Sequence, residues 1–314
     1  MDDVLVRPRP RGRFPAANVA LFLATVATTL WAGFGLSPLA EHAPTFANVL
    51  RGGLPFAASL VAILFAHEMG HYVLARRHGV RATLPYFIPV PFGAGTLGAV
   101  IRIRSALPSA RATLEIGAAG PLAGFVVALP LLLFGYALSE VRAIEAPVSA
   151  ALSSPYAVVR ALVEGRSLQG GGAVLQSFGD SLLTWGARRL VLGDLPPGHD
   201  VFLHPVAFAA WLGLLVTTLN LVPLGQLDGG HVLYALLGRR RALVAGRFVA
   251  AALFAAGIFW SWNWLLWGFL ARFVIGLRHP PALLEEPLDR RRRAIAWLSL
   301  ALFVATFVPV PVSF

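Results

Sequence analysis

From Leu54 to Leu74 the chain is apolar enough to cross a lipid bilayer, yet His67, Glu68 and His71 sit inside that run as His-Glu-Met-Gly-His. Ionisable groups are costly within a membrane span and mark functional sites there. Residues four apart share one face of a helix. His67 and His71 can therefore aim ring nitrogens at one cation while Glu68 reaches a water molecule beside it, the layout of zinc-dependent hydrolases. A chain with this polar island in lipid must bring further polar groups to it from distant segments.

Hydrophobic residues make up 57% of the 314 and charged residues only 13%, which no water-soluble domain of this length would show. The expected fold class is an all-α polytopic membrane protein with the lipid bilayer as its medium. Cysteine is absent, so thiolate metal sites, disulfides and cysteine nucleophiles are excluded and any metal must rest on His, Asp or Glu. The net charge of +11 comes from 26 basic residues, all arginine, and most of them lie beside apolar segments. Membrane topology explains them better than nucleic acid, which is not expected as a partner. An arginine-only, Ala- and Leu-rich composition is that of a GC-rich bacterial genome, so the cytoplasmic membrane of a bacterium is the expected location. No cleavable signal is expected at the start, where the basic arm Arg7 to Arg13 leads into a full-length span.

A bilayer core takes about 20 helical residues, and Asn18 to Leu36, Leu54 to Leu74, Thr113 to Leu138 and Pro205 to Pro223 come close to that. Ala242 to Leu277 is too long for one ordinary span, and Trp260, Trp262 and Trp264 at its middle suggest an interfacial turn between two short spans. Ala294 to Val308 would be the last of six to seven. With seven spans and a cytoplasmic N-terminus, 20 of the 26 arginines fall inside, including Arg239 to Arg241 and Arg290 to Arg293, as the positive-inside bias requires. Arg247 and Arg272 must then snorkel to the interface. The chain divides into a basic cytoplasmic arm (1–16), a core (17–238) with an outward loop at about 139–204, and C-terminal membrane helices (239–314). Val174, Leu175, Phe178, Leu182 and Trp185 in that loop recur at helical spacing, which suggests a helix along the membrane surface. Gly170 to Gly172 reads as a turn.

A catalytic zinc needs a third protein ligand and an open position. The strongest candidate is Asp228, in Asn220-Leu-Val-Pro223-Leu-Gly-Gln-Leu-Asp228-Gly-Gly-His231 at the cytoplasmic end of the fourth span. The proposed topology brings His67, His71 and Asp228 to similar depth. Pro223 and the glycines interrupt the helix, and irregular backbone at membrane depth is tolerated where protein or a water cavity covers it.

His-Glu-x-x-His in one span with Asn-x-x-Pro-x-x-x-Leu-Asp-Gly in a later one resembles the site-2 protease family of intramembrane zinc metalloproteases. The likeness runs from about Leu54 to Leu237 and includes Gly120-Pro121-Leu122. The resemblance implies one Zn2+ per chain on His67, His71 and Asp228, with Glu68 as general base. It also implies that Asn220 holds the substrate backbone or the oxyanion, and that the substrate is a transmembrane segment of a single-span protein. As a bland alternative, Asp228 would cap a helix, and Asn220 would cap one or bond between two. His231, three residues from Asp228, could bind metal as well, though a place beside the ligands or facing solvent is the expected one.

Between the second and third spans, Leu84 to Gly93 is too rich in proline for a regular helix, and the chain alternates like a strand after Gly98. A short membrane-associated β-hairpin or loop is expected. The resemblance implies that Gly95, Thr96, Leu97 and Gly98 belong to a strand that contacts substrate by main-chain pairing; the plain alternative is a hairpin that covers the protein's own backbone. Gly117, Gly120 and Gly124 read as close helix packing, and Glu115 either as part of the site's wall or as an interfacial residue near Arg111. Two other classes use similar residues, a divalent-metal transporter and a non-proteolytic membrane protein that binds helices. Oligomeric state is not legible in the sequence.

Overall fold

The computed structural model describes residues 15–143, 154–164 and 177–313. The basic arm up to residue 14, the Gly170–Gly172 run, Val174 and Leu175 lie outside them. The chain opens with α1 (Ala16–Gly35) and α2 (Phe46–Arg77). A hairpin of β1 (Tyr86–Pro89) and β2 (Thr96–Val100) then leads into α3 (Ala110–Ala137). Thr45 and Ser109 start α2 and α3 as N-caps, each accepting a backbone N–H three residues on. Four described helices are long and apolar enough to cross a membrane: α1, α2, α3 and α7 (Asp228–Phe259). The fold is thus predominantly helical and of the polytopic membrane type.

The segment expected as the fourth span folds as α6 (Pro205–Leu221), an apolar helix of 17 residues. At 1.5 Å per residue it measures about 26 Å, somewhat less than the ~30 Å hydrocarbon core. Ten of its residues are buried, and four of these, Ala207, Ala210, Trp211 and Leu214, lie in a core shared with Ile63 of α2 and Ala128, Leu132 and Tyr136 of α3. This three-helix packing fixes the frame on which the polar residues sit.

The C-terminal third follows expectation closely. The helical run α7 (Asp228–Phe259) is two helices joined at Gly238, whose φ of 75° and ψ of 169° are not helical. A new helix thus begins just after it, close to the expected start at Ala242, and the first turns from Asp228 are the part not anticipated. That left-handed conformation suits glycine, and it lets the helix turn at the Arg239 to Arg241 cluster. After the tryptophan-flanked turn, α8 (Trp262–Phe269) and a π-helical turn (Leu270–Ile275) run back along α7. α9 (Arg290–Thr306) closes the bundle, and Trp264 joins the two by donating its indole N–H to Pro309 O at 2.8 Å and stacking on Phe307.

The chain is not purely α-helical beyond the hairpin. β3 (Glu140–Ala143) pairs antiparallel with β5 (His199–Phe202), and β4 (Ser177–Phe178) with β6 (Val312–Ser313). Within the expected outward loop, α4 (Pro155–Val163) and α5 (Leu182–Leu192) are also present. Of the residues expected to form an amphipathic helix, Leu182 and Trp185 lie in α5 and are exposed, whereas Phe178 is in strand β4, so the helical spacing does not hold across it.

The hairpin is antiparallel, with Tyr86 opposite Val100 and Phe87 opposite Ala99. It is docked on α1. Phe87 meets Phe22 edge-on at 5.1 Å, the Asn18 amide donates to Leu84 O at 2.9 Å, and the Thr28 hydroxyl donates to Gly95 O at 2.6 Å.

Candidate metal centre

His67 and His71 project from one face of α2 and are buried, with 3% and 7% of their surface exposed. Asp228 arrives from the far side as the first residue of α7. The turn that delivers it is tight because Gly229 and Gly230 have no side chain. A β-carbon on Gly229 would stand 2.0 Å from Leu221 O, and one on Gly230 would stand 2.4 Å from Gly225 O. The sequence break between α6 and α7 is thus a folded turn that presents a carboxylate.

The three donor atoms form a nearly equilateral triangle. His67 Nε2 lies 3.3 Å and His71 Nε2 3.2 Å from Asp228 Oδ2, and the two imidazole nitrogens are 3.2 Å apart. The His71 Nδ1–H donates to Ile116 O at 2.7 Å, so in the neutral ring Nε2 carries a lone pair. Lone pairs crowded this closely with a carboxylate oxygen need a cation among them. Ligands about 2.0–2.1 Å from a tetrahedral zinc are separated by about 3.3–3.4 Å, so the edges of this triangle fit zinc. Among the described residues, no other cluster of three His, Asp or Glu side chains is arranged to hold a metal.

Glu68 stands outside the triangle. It is buried, lines the same cavity and lies against the backbone N–H of Ile101, just past β2. The Asn220 amide nitrogen is 3.2 Å from His67 Nε2. Both residues border a cavity of about 560 Å³ whose remaining wall includes Val100, Ile103, Ile116 and Leu227. Gly95, Thr96, Leu97 and Gly98 do not line this cavity. Gly95 packs on the Thr28 backbone, the Thr96 hydroxyl bonds back to Ile88 O, and Leu97 is 68% exposed. The stretch that faces the metal triangle runs instead from Ala99 to Ile103.

Three features were not anticipated from sequence. The small-residue stripe of α3 supplies the bed of the site. A β-carbon on Gly120 would stand 2.0 Å from His71 Nε2, one on Gly117 2.6 Å from His231 Cβ, and one on Gly124 3.3 Å from His67 Nδ1. Gly120→Ala is expected to weaken zinc binding about 10–100-fold, the loss typical when support of a ligating histidine is disturbed. Zinc content of the purified chain after dialysis against graded chelator measures it.

Glu115 is not a wall of the cavity. It joins the ends of α2, α3 and α9 by accepting from His78 and from Arg292, each at 2.6 Å, while Arg111 pairs with Glu286 at 3.2 Å.

The segment between the π-helical turn and α9 covers part of the cavity, with Pro280 and Pro281 in its wall. It is fastened by backbone bonds from Leu283 N–H to Leu107 O at 3.1 Å and from Ala110 N–H to Leu284 O at 2.9 Å. His279 in this segment is held below its ordinary pKa by burial, so it is neutral at pH 7. Its Nδ1–H must donate to Pro280 O, which leaves Nε2 to accept from His231 Nδ1–H. His231 therefore links the start of α7 to this cover, and Tyr234 stacks on His279 at 4.2 Å one turn further along. No sequence pattern signals a pairing across 48 residues.

Comparison with known proteins agrees with this geometry. Residues 55–262 match the profile of peptidase family M50. Similar curated proteins include the probable zinc metalloprotease EGY2, chloroplastic, of Arabidopsis thaliana, 30% identical over 85% of this chain and 44% of the relative. Others are EGY1 of Oryza sativa subsp. japonica, 31% identical over 83% and 41%, and EGY3 of Oryza sativa subsp. indica, 32% identical over 93% and 47%. The chain spans somewhat less than half the length of these relatives. Because the matched region covers most of the chain and takes in both halves of the metal triangle, the chain belongs to peptidase family M50.

Proposed function

We propose that this chain is a zinc-dependent endopeptidase that cuts transmembrane segments of single-span membrane proteins. The observation that carries the reading is the meeting of His67, His71 and Asp228 in one buried triangle, with Glu68 beside the triangle and outside it. A transporter has little use for a carboxylate that is held next to the metal without binding it, and a helix-binding protein has little use for the triangle.

His67, His71 and Asp228 would hold one zinc ion. Zinc in that position supplies Lewis acidity to a water molecule and to the scissile carbonyl. Glu68 takes the proton from the attacking water and passes it to the leaving amine nitrogen. The Asn220 amide donates to the oxygen that becomes negative as the carbonyl turns tetrahedral. The stretch from Ala99 to Ile103 offers main-chain groups to an extended substrate, which matters because a helical peptide hides its carbonyls in hydrogen bonds. A substrate segment must therefore unwind to be cut, and helix-weakening residues near the scissile bond should favour cleavage.

For placement, we read the chain as a seven-span protein of a bacterial cytoplasmic membrane with a cytoplasmic N-terminus. The support is the arginine clusters at Arg239 to Arg241 and Arg290 to Arg293, the second of which bonds through Arg292 to Glu115, the residue before the Ile116 that holds His71. The test is reconstitution of the purified chain in liposomes with a single-span substrate and mass analysis of the products. Fragments ending within the span, lost on removal of zinc by a chelator and restored by zinc, are the expected result. Zinc flux without fragments would instead identify a transporter.

A further inference from the structure

Arg247 of α7, Arg272 of the π-helical turn and Arg278 just beyond it border one cavity of about 970 Å³. The rest of its wall is apolar, with Leu243, Phe254 and Leu277 prominent and Gln226 the single uncharged polar side chain. Among the described residues, no acidic side chain lines it. Among the described residues, no carboxylate pairs with any of the three arginines, although Arg111, Arg142, Arg160, Arg188, Arg189 and Arg292 all have acidic partners. Three like charges gathered from three parts of the chain are a complement to an anion.

The depth of the cavity says which kind of anion. Its wall at Gly276 touches the Gly225 turn, where an added β-carbon would stand 2.0 Å from Gly276 O, and Gly246 of α7 packs beside Leu224. The arginines therefore lie at the level of the turn that delivers Asp228. On α7, Arg247 follows the Arg239 to Arg241 cluster by about two turns, whereas the tryptophans at Trp260 and Trp262 mark its other end. The cavity thus lies toward the basic end of α7, where long arginine side chains can extend to the phosphates of that leaflet. Phe273 in the wall, and Val244, Phe248 and Val274, each next in sequence to a wall residue, make an apolar rim between 50% and 72% accessible. Basic pockets between membrane helices on the cytoplasmic side bind anionic lipid headgroups.

We propose that this cavity is a binding site for an anionic phospholipid. The phosphate rests on Arg247, Arg272 and Arg278, and an acyl chain follows the apolar face of α7. A free phosphate ion would use the arginines but leave the apolar wall and rim uncovered. Gln226 lines both this cavity and the one at the metal triangle, so a bound lipid would brace the turn that presents Asp228.

The test is a binding measurement that does not depend on catalysis. The purified, delipidated full chain is titrated in detergent with phosphatidylglycerol, phosphatidylcholine or inorganic phosphate and examined by native mass spectrometry. Phosphatidylglycerol is expected to bind at least tenfold more tightly than phosphatidylcholine. Arg278→Gln is expected to weaken it about fivefold, and the Arg247→Gln, Arg272→Gln, Arg278→Gln triple change on the order of a hundredfold, from the contribution of a basic residue near an anionic headgroup. Arg188→Gln, on α5, should leave it unchanged. Arg278 lies outside the helices, so the single change keeps the test decisive if the triple variant does not fold. Equal binding of the two lipids, an undiminished preference in Arg278→Gln, or displacement of the lipid by millimolar phosphate would overturn the proposal.

Discussion

Replacing Glu68 by alanine is expected to lower peptide-bond cleavage by about 10²–10⁴-fold, the usual contribution of a positioned general base, while zinc stays bound in a 1:1 ratio. The reason is geometric. Glu68 shares a helix with both imidazoles but contributes no atom to the triangle. Its removal therefore leaves three ligands in place, and the Ile116 bond that orients His71 is untouched. The side chain is buried, so solvent water is poorly placed to take over the proton transfer. Glu68→Gln keeps the shape without the basicity and should behave alike. Substrate cleavage in liposomes and zinc content of the same preparation are read side by side. Wild-type cleavage by Glu68→Ala would remove the residue from the chemistry.

Asp228→Ala should lose zinc and cleavage together. Of the three candidate ligands among the described residues, the carboxylate alone comes from outside α2, and it would supply the negative charge that two neutral imidazoles lack. Two ligands on one helix do not complete a catalytic zinc site, which takes three protein ligands. The expected loss of affinity exceeds the 10–100-fold typical of disturbing a ligand's support, and His67→Ala should match it. Zinc retention by Asp228→Ala with activity gone would mean that another group completes the triangle, with His231 the nearest candidate by sequence. The contrast with Glu68→Ala separates a ligand from a base within one pair of measurements.

The two halves of the site differ in how legible they are in the sequence. His67 and His71 are one helical turn apart, so local periodicity alone brings them together. Asp228 required an argument about depth, since 157 residues separate it from His71, and the outcome depends on where α6 ends. The glycines of α3 were readable as small but not as a bed for imidazoles, because a missing side chain does not indicate what fills the space. The first turns of α7 were missed because glycines and a run of arginines resemble a loop, whereas the break at Gly238 starts a second helix close to the expected Ala242. In the hairpin, alternation reveals a strand but not which part of it meets the metal triangle. Docking of Gly95 on α1 moves that part to Ala99 and beyond. The cover made by residues 279 to 284 is held by long-range backbone contacts between short irregular segments, which hydropathy does not record.

The bed of glycines has a consequence for how the centre is assembled. His71 rests at Gly120 against main chain, with no intervening side chain that could swing aside. A backbone held in a helix has few alternative positions, so the rings have little room to relax in either direction. The chain should thus emerge from folding with its coordinating atoms already in register, and ion capture should involve almost no rearrangement. Diffraction from crystals soaked free of zinc should superimpose on the loaded form around α2 and α3.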